Sequence, residues 1–195
     1  MHSSVKLSDD PVASAPPYLV FIRTSKDLRG GSFGAIVRAE NTRWAFGARE
    51  SSLSPNAMEL VGAERTLNGI SDRCGPSSIK LFASEYLSGG YERLPIWELQ
   101  DWIRDTLRTD ESQQVDVANI GLWQSLQAAA RKHDSVEIST IRSNGKGKHW
   151  WRSEREAARA IAKTVGLKSL TWCDVTHAFW PTFALSNIFP DNDNT

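Results

Sequence analysis

Residues 142–159 combine cations with aromatic rings, a combination that suits nucleic-acid binding. The segment contains six basic and two acidic side chains, and its glycine-containing loop leads into a predicted helix. Lysine and arginine neutralise phosphates, a helix N-terminus attracts them, and indole rings stack on unpaired bases. The candidate contacts are Lys146, Lys148, His149, Trp150, Trp151 and Arg152. The alternative is that the tryptophans pack beneath the loop and the cations face only solvent.

Residues 98–116 have the opposite charge. They contain six acidic and two basic side chains, so this surface repels phosphates. Two interpretations stay open. The segment is either an ordinary solvated face or an acidic docking patch for a basic protein.

The chain ends in an aromatic-rich segment, residues 166–195. Such a segment carries too much apolar surface to remain in water, so it either packs back on the domain or forms a protein interface. The candidate interface residues are Trp172, Phe179, Trp180, Phe183 and Phe189.

The composition fits one globular domain with extensions. The chain has 195 residues, 40% of them hydrophobic, and a formal net charge of zero, so a packed core is feasible and binding to nucleic acid needs a local patch. The expected organisation is a flexible tail over residues 1–17, a core domain over 18–165 and the extension over 166–195.

Targeting features are absent from the sequence. Its two cysteines exclude a disulfide scaffold. No apolar run approaches the roughly 20 residues of a membrane span, and the start lacks the pattern of a signal peptide. We therefore expect a cytoplasmic protein in a reducing compartment, with no membrane partner.

Hydrophobic periodicity predicts alternating strands and helices. Strands are expected over residues 18–24, 32–38, 42–49, 78–83 and 135–142. A first helix is expected to start at Ser54-Pro55-Asn56 and to stop at Cys74-Gly75-Pro76, and further helices are expected over residues 97–107, 120–133 and 150–164. The order β-β-β-α-β-α-α-β-α predicts an α/β (mixed α+β) fold, in which helices flank a five-stranded mixed sheet.

Four short motifs in this order resemble the type 1 ribonuclease H family. They are Gly-Ala-Ile-Val at 34–37, Asn-Ala-Met-Glu-Leu at 56–60, the Leu-Trp-Gln helix at 119–129 and the Ala-rich helix at 156–162. The resemblance covers residues 18–165. It implies the ribonuclease H-like fold, and RNA/DNA hybrids as ligands. It also implies a backbone contact for Asn56, whose alternative role is to cap the first helix.

The resemblance further implies a site of four carboxylates. The family uses them to hold two divalent ions about 4 Å apart for phosphodiester cleavage. The four positions here are Ser25, Glu59, Ala83 and Arg155. Only Glu59 remains as a catalytic remnant, and one carboxylate beside a guanidinium cannot hold two Mg²⁺ ions. No cofactor is therefore expected.

Relocated ligands would reverse that conclusion. Asp27, Glu85 and Glu156 each lie within two residues of a missing ligand. Together with Glu59 they are the metal ligands if the protein is active, and Mg²⁺ is then its cofactor.

Three functions follow from these alternatives. The leading hypothesis is a catalytically degenerate ribonuclease H-fold protein that binds structured nucleic acid, a protein partner or both. The second is a divergent but active Mg²⁺-dependent ribonuclease H. The third is a protein-interaction or assembly module that uses the acidic segment and the aromatic extension.

Overall fold

The computed structural model describes residues 16–28, 30–51, 53–84, 87, 94–95, 119–140, 149–165, 172–174 and 176. Several predictions therefore fall outside the described residues: the tail up to residue 15, the acidic segment and the helix at 97–107. Within the described part, no helix combines the length and the apolar character of a membrane span.

The described strands form one mixed sheet. They are β1 (Tyr18–Asp27), β2 (Gly30–Arg38), β3 (Arg43–Glu50), β4 (Ser78–Ala83), β5 (Leu94–Pro95), β6 (Ser135–Thr140) and β7 (Cys173–Asp174). The order across the sheet is β5-β6-β4-β1-β2-β3-β7. The first three strands pair antiparallel, while β4 pairs parallel with both β1 and β6. This confirms the predicted mixed sheet.

The predicted number of five strands is too low for this sheet. The described residues form seven strands, of which the two at the edges, β5 and β7, are only two residues long. A two-residue strand is too short to show alternation of apolar and polar residues, so no sequence pattern marks it.

Three helices are described: α1 (Pro55–Cys74), α2 (Ile120–Ala130) and α3 (His149–Thr164). The side chains of α1 and α2 share one apolar cluster with one face of the sheet. Those of α3 form a second cluster with the other face. Wherever residues are described, the predicted order of helices and strands is confirmed.

Local signals fix both ends of α1. The Ser54 hydroxyl accepts a hydrogen bond from the Ala57 backbone N–H at 3.2 Å, and Pro55 occupies the first turn. Gly75 ends the helix with φ 75°, a conformation that glycine adopts without strain. The alternative that Asn56 caps this helix was wrong, because Ser54 is the cap and Asn56 lies exposed in the first turn.

Helix α3 lies directly on β2 at Gly34. A Cβ atom at this position would lie 2.6 Å from the Ala162 backbone nitrogen and closer still to the Ala158 carbonyl oxygen. Glycine is therefore required by the close approach of two backbones rather than by a turn. This contact sets the distance between α3 and the β1–β2 hairpin.

We expect Gly34→Ala to lower the free energy of unfolding by about 2 to 3 kcal/mol, because α3 has to move away from the sheet. Urea titration of both chains measures the loss. Gly121→Ala is the matched control, since a Cβ on that α2 residue meets nothing within 4 Å. An equal loss in the two variants would contradict the close approach at Gly34.

Part of the aromatic extension packs back on the domain. The Trp172 ring stacks on Phe46 with 4.1 Å between centroids, and the Arg73 guanidinium lies 4.5 Å from its centroid. Strand β7 follows and pairs with β3. For Trp172 this agrees with the alternative in which the extension packs back on the domain. The other predicted interface residues, Phe179, Trp180, Phe183 and Phe189, lie outside the described residues.

Candidate functional site

Glu59 is a buried carboxylate in the first half of α1. Glu59 is only 3% exposed to solvent. One carboxylate oxygen accepts a hydrogen bond from the Ser84 backbone N–H at 2.7 Å, and the other accepts one from the Ser84 hydroxyl. Because Ser84 directly follows β4, these bonds tie α1 to the carboxyl end of that strand. Both oxygens of Glu59 are thus engaged by the protein itself.

Arg23 is the β1 side chain whose charge acts on Glu59. It lies two residues after Phe21, which is buried among α3 side chains, and side chains two apart on a strand share a face. Its backbone partner on β2 is Gly34, the residue that α3 contacts. Arg23 is therefore half-buried on the face of the sheet that α3 covers, and its charge interacts with Glu59 of α1 and Arg159 of α3.

The resemblance in the sequence places Ser25 at the β1 position of the family's carboxylate and does not single out Arg23. Ser25 lies two residues further along the strand, opposite Ser32, whose hydroxyl donates to the Ser25 carbonyl at 3.4 Å. One signal was available in the sequence. Arg23 is the one cation in an otherwise apolar strand segment, residues 18–24, and such a residue needs a buried electrostatic partner.

Two further arginines reach the site from α3. Arg155 is half-buried, and burial followed by the charge of Arg23 lowers the pKa of its guanidinium. Burial followed by the charge of Arg159 likewise lowers the pKa of Arg23, while Glu59 and Glu156 oppose this effect. Glu156 pairs with Arg159 at 3.3 Å in an exposed ion pair. Ala83, at the end of β4, is buried and offers no ligand atom.

Asp27 has a different partner. Its carboxylate lies 2.5 Å from a guanidinium nitrogen of Arg49, a residue that is 1% exposed. Arg49 also donates to the Val165 carbonyl at 3.1 Å. Asp27 thus balances the charge of a buried arginine that holds the end of α3. This pairing leaves Asp27 poorly suited to a metal ion.

These residues do not fit a pair of Mg²⁺ ions. Two-metal chemistry needs several carboxylate oxygens free to converge on the ions. Here the oxygens of Glu59 accept hydrogen bonds from Ser84, and the positive charge of Arg23 acts on the same carboxylate. Among the residues that the structure describes, no three histidine, cysteine, aspartate or glutamate side chains converge as a metal site would require. The remaining candidate, Glu85, lies outside these residues.

The burial of Glu59 makes stability depend on pH. Burial raises the pKa of this carboxyl, and the hydrogen bonds from Ser84 and the charge of Arg23 offset only part of the rise. The folded chain thus holds the proton on Glu59 more tightly than the unfolded chain, in which the pKa of glutamate is about 4.3. The stabilisation that protonated Glu59 contributes is therefore fully present below the pKa of the unfolded chain. It is lost as the pH rises through the pKa of Glu59 in the folded chain.

We therefore expect the unfolding free energy of the wild type to fall, relative to that of Glu59→Gln, as the pH rises from about 4 to 7. Urea titrations of both chains across this range measure the difference between the two. Parallel pH profiles would contradict a raised pKa at Glu59.

A buried ion cluster fixes the N-terminal half of α3. Glu154, 4% exposed, accepts bonds from Arg43 Nε at 3.0 Å and Arg43 Nη2 at 2.6 Å, and its other oxygen accepts from Arg38 at 3.0 Å. Towards the other end of α3, the Ser32 hydroxyl donates to the Ala162 carbonyl. These bonds to β2 and β3 set the position of Arg155 and Arg159 relative to Arg23.

The outer surface of α3 presents a row of cations. Residues three or four apart on a helix share a face, and this spacing places four basic residues together: Arg152, Arg155, Arg159 and Lys163. Arg152 and Lys163 are exposed, whereas Arg155 is half-buried. We call these four residues the basic stripe. Over 11 residues it extends about 16 Å along the helix.

The remaining predicted nucleic-acid contacts have mixed outcomes. Asn56 is exposed in the first turn of α1, three residues before Glu59. His149, Trp150 and Trp151 form the start of α3, but their side chains lie outside the described residues. Lys146 and Lys148 also lie outside them.

Comparison with known proteins gives three informative matches. No family model matches the chain. A ribonuclease H of Bartonella bacilliformis is 30% identical over 135 residues, which are 68% of this chain and 77% of that protein. The solved structure of LC9-RNase H1, a type 1 RNase H with the type 2 active-site motif, aligns with a TM-score of 0.59 at 18% identity, over 86% of this chain and 80% of its own.

The third match is a foamy viral protease-reverse transcriptase in complex with an RNA/DNA hybrid. It aligns with a TM-score of 0.52 at 11% identity, over 84% of this chain and 23% of its own. At such identities the two solved structures establish the fold alone. They confirm the fold that the four sequence motifs implied.

Proposed function

Because this chain belongs to the ribonuclease H family, we propose that it binds the backbone of structured nucleic acid, an RNA/DNA hybrid or an RNA, without cleaving it. The observation that carries this proposal is the set of side chains around Glu59. Arg23, Ala83 and Arg155 stand where the family's metal chemistry needs carboxylates.

The loss of cleavage follows from charge. Two like charges 4 Å apart repel by about 4 kcal/mol at an effective dielectric constant of 20, and a divalent ion beside Arg23 or Arg155 meets twice that repulsion. Glu59 alone supplies too few oxygens to offset it. Without the ions, neither the attacking water nor the leaving oxygen is stabilised.

The basic stripe supports retained binding. Each phosphate neutralised by lysine or arginine releases counterions, and this release drives association. The middle of the stripe, Arg155 and Arg159, interacts with the charge of Arg23. The stripe continues along α3 to the exposed Lys163. A row of cations about 16 Å long can run beside several successive phosphates of one strand. Asn56 lies near the same site, on α1.

The residues before α3 and at its start suit a second kind of contact. In this proposal Lys146 and Lys148 extend the stripe to further phosphates. Trp150 and Trp151 offer faces on which unpaired bases stack, and Arg152 continues the cationic row. In the sequence, His149 lies between the two lysines and the two tryptophans.

We expect the double variant Lys146→Ala, Lys148→Ala to bind hybrid more weakly and to flatten the salt dependence of binding by up to about two units, since each phosphate contact contributes roughly −0.9 to the slope. Trp150→Ala, in contrast, should weaken the binding of single strands more than the binding of duplexes, because stacking needs an exposed base. Fluorescence anisotropy at several salt concentrations measures both effects. If the wild type binds no hybrid, duplex or single strand at low salt, the binding proposal fails.

The competing proposal is an active enzyme, and the names of its relatives favour it. In that case Glu59 would need Asp27, Glu85 and Glu156 as co-ligands for Mg²⁺. The pairing of Asp27 with Arg49 and of Glu156 with Arg159 argues against it. A protein partner is a further proposal, for which the undescribed part of the extension is the candidate surface.

A further inference from the structure

Arg23, Arg155 and Arg159 lie close enough to one another for their charges to interact. Arg23 projects from β1 towards α3, on the face that it shares with Phe21. Arg155 and Arg159 lie one helical turn apart on α3, next to Ala158 and Ala162, whose backbone contacts Gly34 opposite Arg23. The fold thus brings the three arginines together from two elements that the core fixes in place.

The positive charge of this cluster is not balanced by the carboxylates around it. Three arginines face Glu59 and Glu156, which leaves one excess positive charge. Glu156 pairs with Arg159, and the oxygens of Glu59 are engaged by Ser84. Among the residues that the structure describes, no carboxylate lies within ion-pair distance of Arg23 or Arg155.

Half-buried arginines that repel one another cost free energy unless an anion joins them. The planar guanidinium presents a fork of donors that matches two oxygens of a phosphate. A phosphate is therefore the anion whose geometry this cluster suits.

The net charge of the cluster indicates the charge of that anion. Glu59 and Glu156 leave the cluster with one excess positive charge. A phosphodiester, which carries one negative charge, neutralises that excess. The diester is also the group that the nucleic-acid backbone supplies.

We propose that Arg23, Arg155 and Arg159 form a metal-independent binding centre for one backbone phosphodiester of the nucleic acid. The proposal rests on the proposed function, and it assigns that function its central contact. The guanidinium groups supply the positive charge that divalent ions supply elsewhere in the family. Binding through this centre needs no Mg²⁺ and survives its removal.

The test measures hybrid binding by fluorescence anisotropy in EDTA, for the full-length wild type and for Arg23→Gln, Arg155→Gln and Arg23→Lys. We expect each glutamine variant to weaken binding about 10-fold or more, as loss of a charged hydrogen bond does. The salt slope should fall by about 0.9. Arg23→Lys should recover part of the affinity because it keeps the charge but lacks the fork.

Arg131→Gln is the matched control. It removes the same charge from an exposed position at the end of α2, on the other face of the sheet, and should leave the affinity within about twofold. Urea titration of each variant confirms that it folds, so weak binding cannot come from unfolding.

The outcomes separate the two proposals. If the wild type binds in EDTA but Arg23→Gln and Arg155→Gln behave like Arg131→Gln, the arginine centre is overturned while nucleic-acid binding stands. If EDTA abolishes binding and Mg²⁺ restores it, the metal-independent centre is overturned. If the wild type binds no nucleic acid at low salt, the proposed function fails, and this inference fails with it.

Discussion

Replacing Glu154 with alanine should lower the free energy of unfolding by about 3 to 5 kcal/mol, the cost of removing one partner from a buried ion pair. Glu154 bonds Arg43 through one oxygen and Arg38 through the other. The Arg43 side chain is 9% exposed, so it would lose a two-fold hydrogen-bonded carboxylate in a buried environment. The loss is a large share of the stability of a domain of this size.

Urea titration of wild type and Glu154→Ala measures this loss. Glu156→Ala is the control two residues further along α3. Its carboxylate is 56% exposed and pairs with Arg159, 40% exposed, so its removal should cost less than about 1 kcal/mol. Equal costs at the two positions would contradict the account of how α3 is anchored.

The second large effect is expected from rebuilding the carboxylates. The triple variant Arg23→Asp, Ala83→Asp, Arg155→Asp adds three carboxylates to Glu59. The resulting four carboxylates offer Mg²⁺ an oxygen-rich site. We expect this chain to gain about 2.7 kcal/mol of stability from Mg²⁺ at 100 times its dissociation constant. The wild type should gain nothing measurable.

Thermal and urea unfolding with Mg²⁺ or EDTA compares the two chains. Adding Glu59→Gln to the triple variant removes one ligand and should reduce the gain, which separates site binding from a general effect of salt. A wild type that Mg²⁺ stabilises as much as the triple variant would show that its site already holds the ion.

Local signals predicted the elements of this fold well. Helix α1 begins within Ser54-Pro55-Asn56 and ends at the Cys74-Gly75-Pro76 stop as expected, because these signals are readable from neighbouring residues alone, although the cap is Ser54 and not Asn56. The position of Glu59 followed from the same helix. The order of strands followed from their alternation, and the parallel pairing of β4 with β6 from the helix between them.

Tertiary contacts were not readable in this way. The candidate site depends on which β1 residue faces Glu59, and that is set by the approach of α3 to Gly34. A shift of two residues along a strand preserves the face, so the alternation could not distinguish Arg23 from Ser25. The packing position of Trp172 depends on the Phe46 ring on which it stacks, and Phe46 lies more than 100 residues away in the chain.

One measurement tests the central claim, that the site binds without cutting. The full chain is incubated with a labelled RNA/DNA hybrid and Mg²⁺ or Mn²⁺, beside its Glu59→Gln variant, and both binding and cleavage are followed. We expect the wild type to bind the hybrid and cleavage to stay at background, with no difference in cleavage between the two chains. Cleavage by the wild type that EDTA stops, Mg²⁺ restores and Glu59→Gln abolishes would contradict this claim.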